Sequence, residues 1–184
     1  MPEELVDILD DHGQPTGEIL SRDSAHARNA WHGIAHIWIY NQKGQILLQK
    51  RHQNLEWAGG KWDALTGGHI SAGEKPLQAA LREMHEEMGL NLSQDDLHLA
   101  SQAIAERSGS KNGEVHKTHQ WNYIAKNNSS ISELKFNDGE VTDVKWMNFD
   151  DFESDLDTNP HKYAGRNRDL YNLILNQMRK ALKQ

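Results

Sequence analysis

Residues 68–90 read GHISAGEKPLQAALREMHEEMGL. A glycine-rich turn leads to Glu74 and then to Pro76, which suits the first turn of a helix, where its missing N–H costs nothing. Gly89 suits the left-handed stop at the other end. Between them Leu77, Ala80, Leu81, Met84 and Met88 recur at helical spacing as an apolar stripe. Glu83, Glu86 and Glu87 stand at i, i+3 and i+4, so a helix gathers three carboxylates on one face. At about 100° per residue that face points roughly 120° from the stripe, which predicts a buried stripe and carboxylates lining an accessible cleft. Like charges packed this way repel. A hard divalent cation with oxygen ligands offsets that cost. Arg82 is placed to orient one carboxylate, and Glu74 to favour the positive end of the helix dipole.

The string resembles the Nudix box, G-x5-E-x7-R-E-U-x-E-E-x-G-U, where U is a bulky apolar residue. Gly68, Glu74, Arg82, Glu83, Met84, Glu86, Glu87, Gly89 and Leu90 fill every specified position. The resemblance implies a Nudix fold of the α/β (α+β) class, with a mixed sheet between helices. It implies Mg²⁺- or Mn²⁺-dependent attack on a diphosphate linkage in a nucleoside diphosphate derivative or other organic diphosphate. Glu83, Glu86 and Glu87 are then the metal ligands, joined by the Gly68 carbonyl. The base that activates water varies within the family, and Glu87, Glu114 and Glu140 are the candidates here. Lys50 and Arg51, at the end of an apolar run, could hold substrate phosphate as a point charge and a fork. Trp57 and Trp62 could stack on an organic group, with core packing the alternative.

The resemblance extends beyond the box. Asp10–Gly17 (D-x-x-G-x-x-x-G), His26, His32, the run GIAHIWIYNQKGQILLQKR (33–51) and Trp62 through His69 (W-x4-GGH) are similar to the isopentenyl-diphosphate isomerase branch. That branch binds a catalytic metal on three histidines and two glutamates, and the matching histidines, His26, His32 and His69, are the candidates for a second metal here. Imidazoles suit Mn²⁺ or Zn²⁺. Isomerisation moves a proton across a double bond and needs an acid and a base on opposite faces. The branch uses a cysteine just before the Gly-His pair and a glutamate on a later strand. Gly67 occupies the cysteine position, the chain has no cysteine, and His116 and Thr118 stand where acids are expected. The expected function is therefore a diphosphate hydrolase on an isomerase-like scaffold. The alternatives are an isomerase with another proton donor and a non-catalytic metabolite sensor. Ala105–Ser108 carry neither the ADP-ribose nor the diadenosine-polyphosphate marker, and the substrate stays open.

Composition bounds the rest. The 184 residues suffice for one domain, 1–184, with the Nudix core at approximately 30–158, an N-terminal strand and helix, and a C-terminal helix. A net charge of −7 without basic runs argues against nucleic acid as partner. No apolar run approaches a membrane span, and MPEELVDILDDHG lacks the regions of a secretory signal, so cytoplasmic residence is the default. The partner is a small-molecule diphosphate, and the resemblance leaves a homodimer open. Strands are expected at Leu5–Leu9, Gly33–Tyr40, Gln45–Arg51, Asp63–Ile70, Leu97–Arg107, Glu114–Ala125 and Val141–Phe149. Turns are expected at Asp11–Gly17, 41–44 and 108–113, and loops at 52–62 and 126–139. Short helices are expected from Ser21 to Arg28 and at Asp150–Leu156, and an amphipathic helix at Arg166–Leu182.

Overall fold

Strand β3 (Trp31–Tyr40) organises the molecule because both of its faces are apolar. The computed structural model describes residues 3–109, 114–136 and 139–183. Ahead of β3 come β1 (Leu5–Leu9), β2 (Pro15–Ser21) and helix α1 (Arg22–Ala27). After it come β4 (Gln45–Arg51), β5 (Trp62–Asp63), β6 (Thr66–His69), α2 (Pro76–Met88), β7 (Leu97–Ser108), β8 (Val115–Lys126), β9 (Val141–Asn148), α3 (Phe149–Thr158) and α4 (Arg168–Ala181).

Period-two alternation divides β3 between two cores. Ala35, Ile37 and Ile39 pack with Ala79, Ala80, Met84 and Met88 of α2. Trp38 and Tyr40 pack with Phe152 of α3 and with Tyr171, Ile174 and Met178 of α4. The mixed sheet therefore lies between helices, as a strand buried on both faces requires. β3 runs parallel to β8 over ten residues, Trp31↔Lys117 to Tyr40↔Lys126, and antiparallel to β6 at Ile34↔His69 through Ile37↔Thr66. β4 takes β5 and β9 as antiparallel neighbours. β3 and β4 are joined by the 41–44 turn, yet they pair only at Tyr40↔Ile46. Past that point the two strands take different partners, and residues of both line a cleft.

Two departures from the sequence expectations have local causes. Asp10 Oδ1 accepts from the His12 and Gln14 amides at 2.9 and 2.8 Å, which closes the turn early. Pro15 then opens β2, a strand the turn composition concealed. The single strand expected at Asp63–Ile70 is two, because the chain leaves β4 after Asp63 and joins β3 at Thr66. Of the expected turn at 108–113, residues 110–113 lie outside the described residues, as do 137–138 of the expected loop.

Candidate active site

Helix α2 forms as its sequence dictates, with Pro76 in the first turn and Gly89 in the left-handed conformation at φ 65°. Its carboxylates divide. Glu87 lies about 40° to one side of Glu83 around the helix and Glu86 about 60° to the other. Glu83 and Glu87 turn toward β6 and line the cleft, while Glu86 lies outside that lining, its side chain 57% exposed. The expected accessible trio is thus corrected: Glu83 is only 8% exposed. It fits because Gly68 lacks a side chain; a Cβ there would stand 2.6 Å from Glu83 Oε1. Burial raises the Glu83 pKa, and Arg82 opposes the shift. Glu87 Oε2 accepts from Thr66 Oγ1 and, at 3.1 Å, from the Gly67 amide.

Arg82 ties the box together. It donates from Nε and Nη2 to the two oxygens of Glu74 at 3.0 Å each, from Nη1 to Glu83 at 2.7 Å and Glu86 at 3.0 Å, and from Nη2 to the His69 carbonyl at 3.0 Å. Glu74 also accepts from the Ser71 amide at 3.1 Å. Neither Glu74 nor Arg82 lines the cleft. They position the groups that do.

His26, His32 and His69 converge, with one donor atom from each within 4.8 Å of the others. His32 Nδ1 lies 2.9 Å from the Ala30 carbonyl and donates to it, which leaves the Nε2 lone pair free. The Nε2 atoms of His26 and His32 are buried without a hydrogen-bond partner among the described residues. Burial, then the imidazoles of His116 and His32, holds His26 down to about 4, and burial lowers His32 and His69 as well. Neutral imidazoles with orphaned, convergent nitrogens fit a metal ion. His26 also groups with Glu114 and His116. Arg107 Nη2 donates to His116 Nδ1 at 2.8 Å, so a neutral His116 carries its proton on Nε2. Lone-pair donation therefore favours the first three histidines.

The cleft, about 1070 Å³, joins Glu83, Glu87, His26 and His69 to Arg51, Trp57, Glu114 and Glu140. Lys50 is not part of it. Successive strand residues face opposite ways, so Arg51 enters the cleft while Lys50 sits 5.9 Å from the Trp62 ring. Trp62 also lies outside the lining, with Lys145 at 4.3 Å from its ring. Thr118 lines the cleft and is buried.

Three lining residues are singled out by no sequence motif, His36, Arg107 and Arg166, and neither is Asp63, the buried partner of Arg166. Arg166 Nε and Nη2 meet the two Asp63 oxygens at 2.9 and 2.7 Å. The pair spans 103 positions in the chain, beyond any local pattern. His36 shares the strand phase of His32, the one signal that could have found it. Burial first, then Arg166, lowers its pKa to about 3. The unfolded chain takes up that proton near 6.5 and the folded one does not, so this stabilisation is present above pH 6.5 and is lost as pH falls toward 3. By pH 5 the loss is about 2 kcal/mol. His36→Gln should flatten the fall in unfolding free energy between pH 7 and pH 5 by about that amount in urea titrations. An unchanged slope would show that His36 does not titrate in this way.

Comparison with known proteins agrees with this architecture. Residues 30–172 match the NUDIX domain family. An isopentenyl-diphosphate Delta-isomerase of Klebsiella pneumoniae is 30% identical over 165 residues, covering 89% of this chain and 86% of that protein. Nudix hydrolase 3 of Arabidopsis thaliana is 38% identical over 96 residues, 52% of this chain; the match spans 12% of that protein's length, well under two thirds. The crystal structure of DR0079 from Deinococcus radiodurans shares the fold, with a TM-score of 0.65 at 19% identity over 95% of this chain and 98% of that one. No helix among the described residues is long and apolar enough to cross a membrane. With a complete box running from β6 through α2, a mixed sheet between helices and a family match across most of its length, the chain belongs to the NUDIX family.

Proposed function

We propose that the protein hydrolyses a diphosphate linkage in a small organic diphosphate, using Mg²⁺ or Mn²⁺ at Glu83, Glu87 and the Gly68 carbonyl. The observation that carries this reading is the shared cleft: two box carboxylates and Arg51 line the same space. A divalent cation held there neutralises phosphate charge and eases deprotonation of water. Gly68 gives the Glu83 carboxylate room, Arg82 fixes its orientation, and Thr66 and Gly67 fix Glu87. Arg51 meets the phosphate from the β4 side. Glu114 stands within the histidine cluster, so Glu87 and Glu140 are the bases to test. His26, His32 and His69 would hold a second ion, and their nitrogen donors favour a transition metal over Mg²⁺.

Likeness to an isomerase over most of the chain supports a second reading, isomerisation of isopentenyl diphosphate to its allylic isomer. The backbone at the cysteine position speaks against it. Gly67 has φ 129°, and a Cβ there would lie 2.0 Å from the Ala35 carbonyl oxygen. Gly67→Cys should therefore destabilise the fold by about 3 kcal/mol and restore no isomerisation. A Gly67→Cys variant as stable as the parent that interconverts isopentenyl and dimethylallyl diphosphate would support the isomerase.

The deciding experiment incubates the protein with a panel of organic diphosphates, isopentenyl diphosphate included, with Mg²⁺ or Mn²⁺. The expected result is cleavage of the P–O–P bond, read as inorganic phosphate from a terminal diphosphate and as two phosphomonoesters from a substituted one. Isomer without phosphate would overturn the hydrolase reading, and binding without either reaction would favour a sensor.

A further inference from the structure

Three guanidinium groups converge on one indole. The Cζ atoms of Arg166, Arg51 and Arg107 lie 4.8, 5.3 and 5.4 Å from the centre of the Trp57 ring. They arrive from separate places: the approach to α4, the end of β4 and the end of β7. All four residues line the cleft. Arg166 is neutralised by its fork on Asp63. The other two are not. Arg51 donates to the Trp57 carbonyl at 3.1 Å and Arg107 to His116 at 2.8 Å, and neither forms an ion pair among the described residues.

Gathering like charges in a partly desolvated cleft costs energy that attraction to the indole only partly offsets. Arg107 registers that cost: burial lowers its pKa, and Arg166 and Arg51 lower it further against the opposing pull of Glu56 and Glu114. A bound anion would remove the repulsion. Guanidinium forks match the non-bridging oxygens of phosphate, and two forks outside any ion pair among the described residues match two adjacent phosphates. The arrangement also revises the reading of Trp57: cations crowd its ring, so it arrays charge and is a poor platform for a substrate ring.

We propose that Arg51 and Arg107, arrayed on Trp57 with Arg166 behind them, form an anion site for the diphosphate group of the substrate. This rests on the hydrolase reading for its choice of ligand, and it adds Arg107 to Arg51 as a contact for the diphosphate. The site works without metal, which separates it from the carboxylates of α2. Arg107 abuts the histidine cluster through His116, which stacks on His26 with ring centres 3.8 Å apart. The anion and the histidine set are thus neighbours.

The test is calorimetric titration of the full chain with inorganic pyrophosphate in excess EDTA. Wild type should bind. Arg107→Ala and Arg51→Ala should each weaken binding by about tenfold or more, with Arg107→Lys intermediate. Lys145→Ala removes one charge outside the cleft and should change affinity by less than about twofold. Glu87→Gln should retain metal-free binding. Pyrophosphate binding that ignores both arginines, or no metal-free binding by wild type, would overturn the proposal. Metal-free binding that depends on the arginines, with no diphosphate hydrolysed, would leave the anion site standing and remove the hydrolase reading instead.

Discussion

Glu87→Gln should lower kcat/KM for the preferred diphosphate by at least about a hundredfold, because loss of a metal ligand should exceed the 10- to 100-fold cost of losing its outer partners. The substitution keeps the shape and the oxygen that accepts from Thr66 and Gly67, so the helix and its junction with β6 should survive. Only the charge is lost. The loss should fall on Mg²⁺ affinity and turnover together, and raising the metal concentration should recover part of it. Equal activity in parent and variant across a metal titration would remove Glu87 from the site. Glu86→Gln is the informative neighbour. Its side chain is largely exposed and serves Arg82 outside the cleft, so its effect should be much the smaller of the two.

Arg82→Ala should be among the most destabilising single changes in the box. The guanidinium bonds Glu74, Glu83, Glu86 and the His69 carbonyl. Removing it leaves Glu83, whose side chain is 10% exposed, buried and charged without its cation. Breaking such a pair costs about 3 kcal/mol, mostly for the stranded charge. Urea denaturation should show that loss at neutral pH. The loss should shrink as the solution is acidified, because the stranded Glu83 then takes up a proton. Arg82→Lys keeps one charge but cannot serve three carboxylates in a fork, so it should recover only part of the stability. A neutral result at pH 7 would mean that water, and not Arg82, satisfies Glu83.

These effects show what the sequence can carry. The box helix was legible because its information is local: Pro76 and Gly89 mark the ends, and the stripe fixes the buried face. The histidine trio was legible only through family resemblance, since His26 lies on α1, His32 on β3 and His69 on β6. The structure brings them within 4.8 Å. The division among the three glutamates was hidden because it depends on a missing side chain on another strand, Gly68. The Trp57 wall was hidden for a similar reason. Arg107 and Arg166 join no motif, and they reach Trp57 because their strand and loop end beside the tryptophan loop. Lys50 and Arg51 illustrate the converse: period-two geometry assigns them to opposite faces, but the sequence does not say which face is the cleft.

The most direct test of the account is a crystal structure of the protein grown with Mn²⁺ and a non-hydrolysable diphosphate, with anomalous differences recorded at the manganese edge. An anomalous peak bounded by Glu83, Glu87 and the Gly68 carbonyl is expected, with the phosphates running from it toward Arg51 and Arg107. Manganese confined to other parts of the molecule, with the Glu83 and Glu87 carboxylates unliganded beside a bound diphosphate, would contradict it.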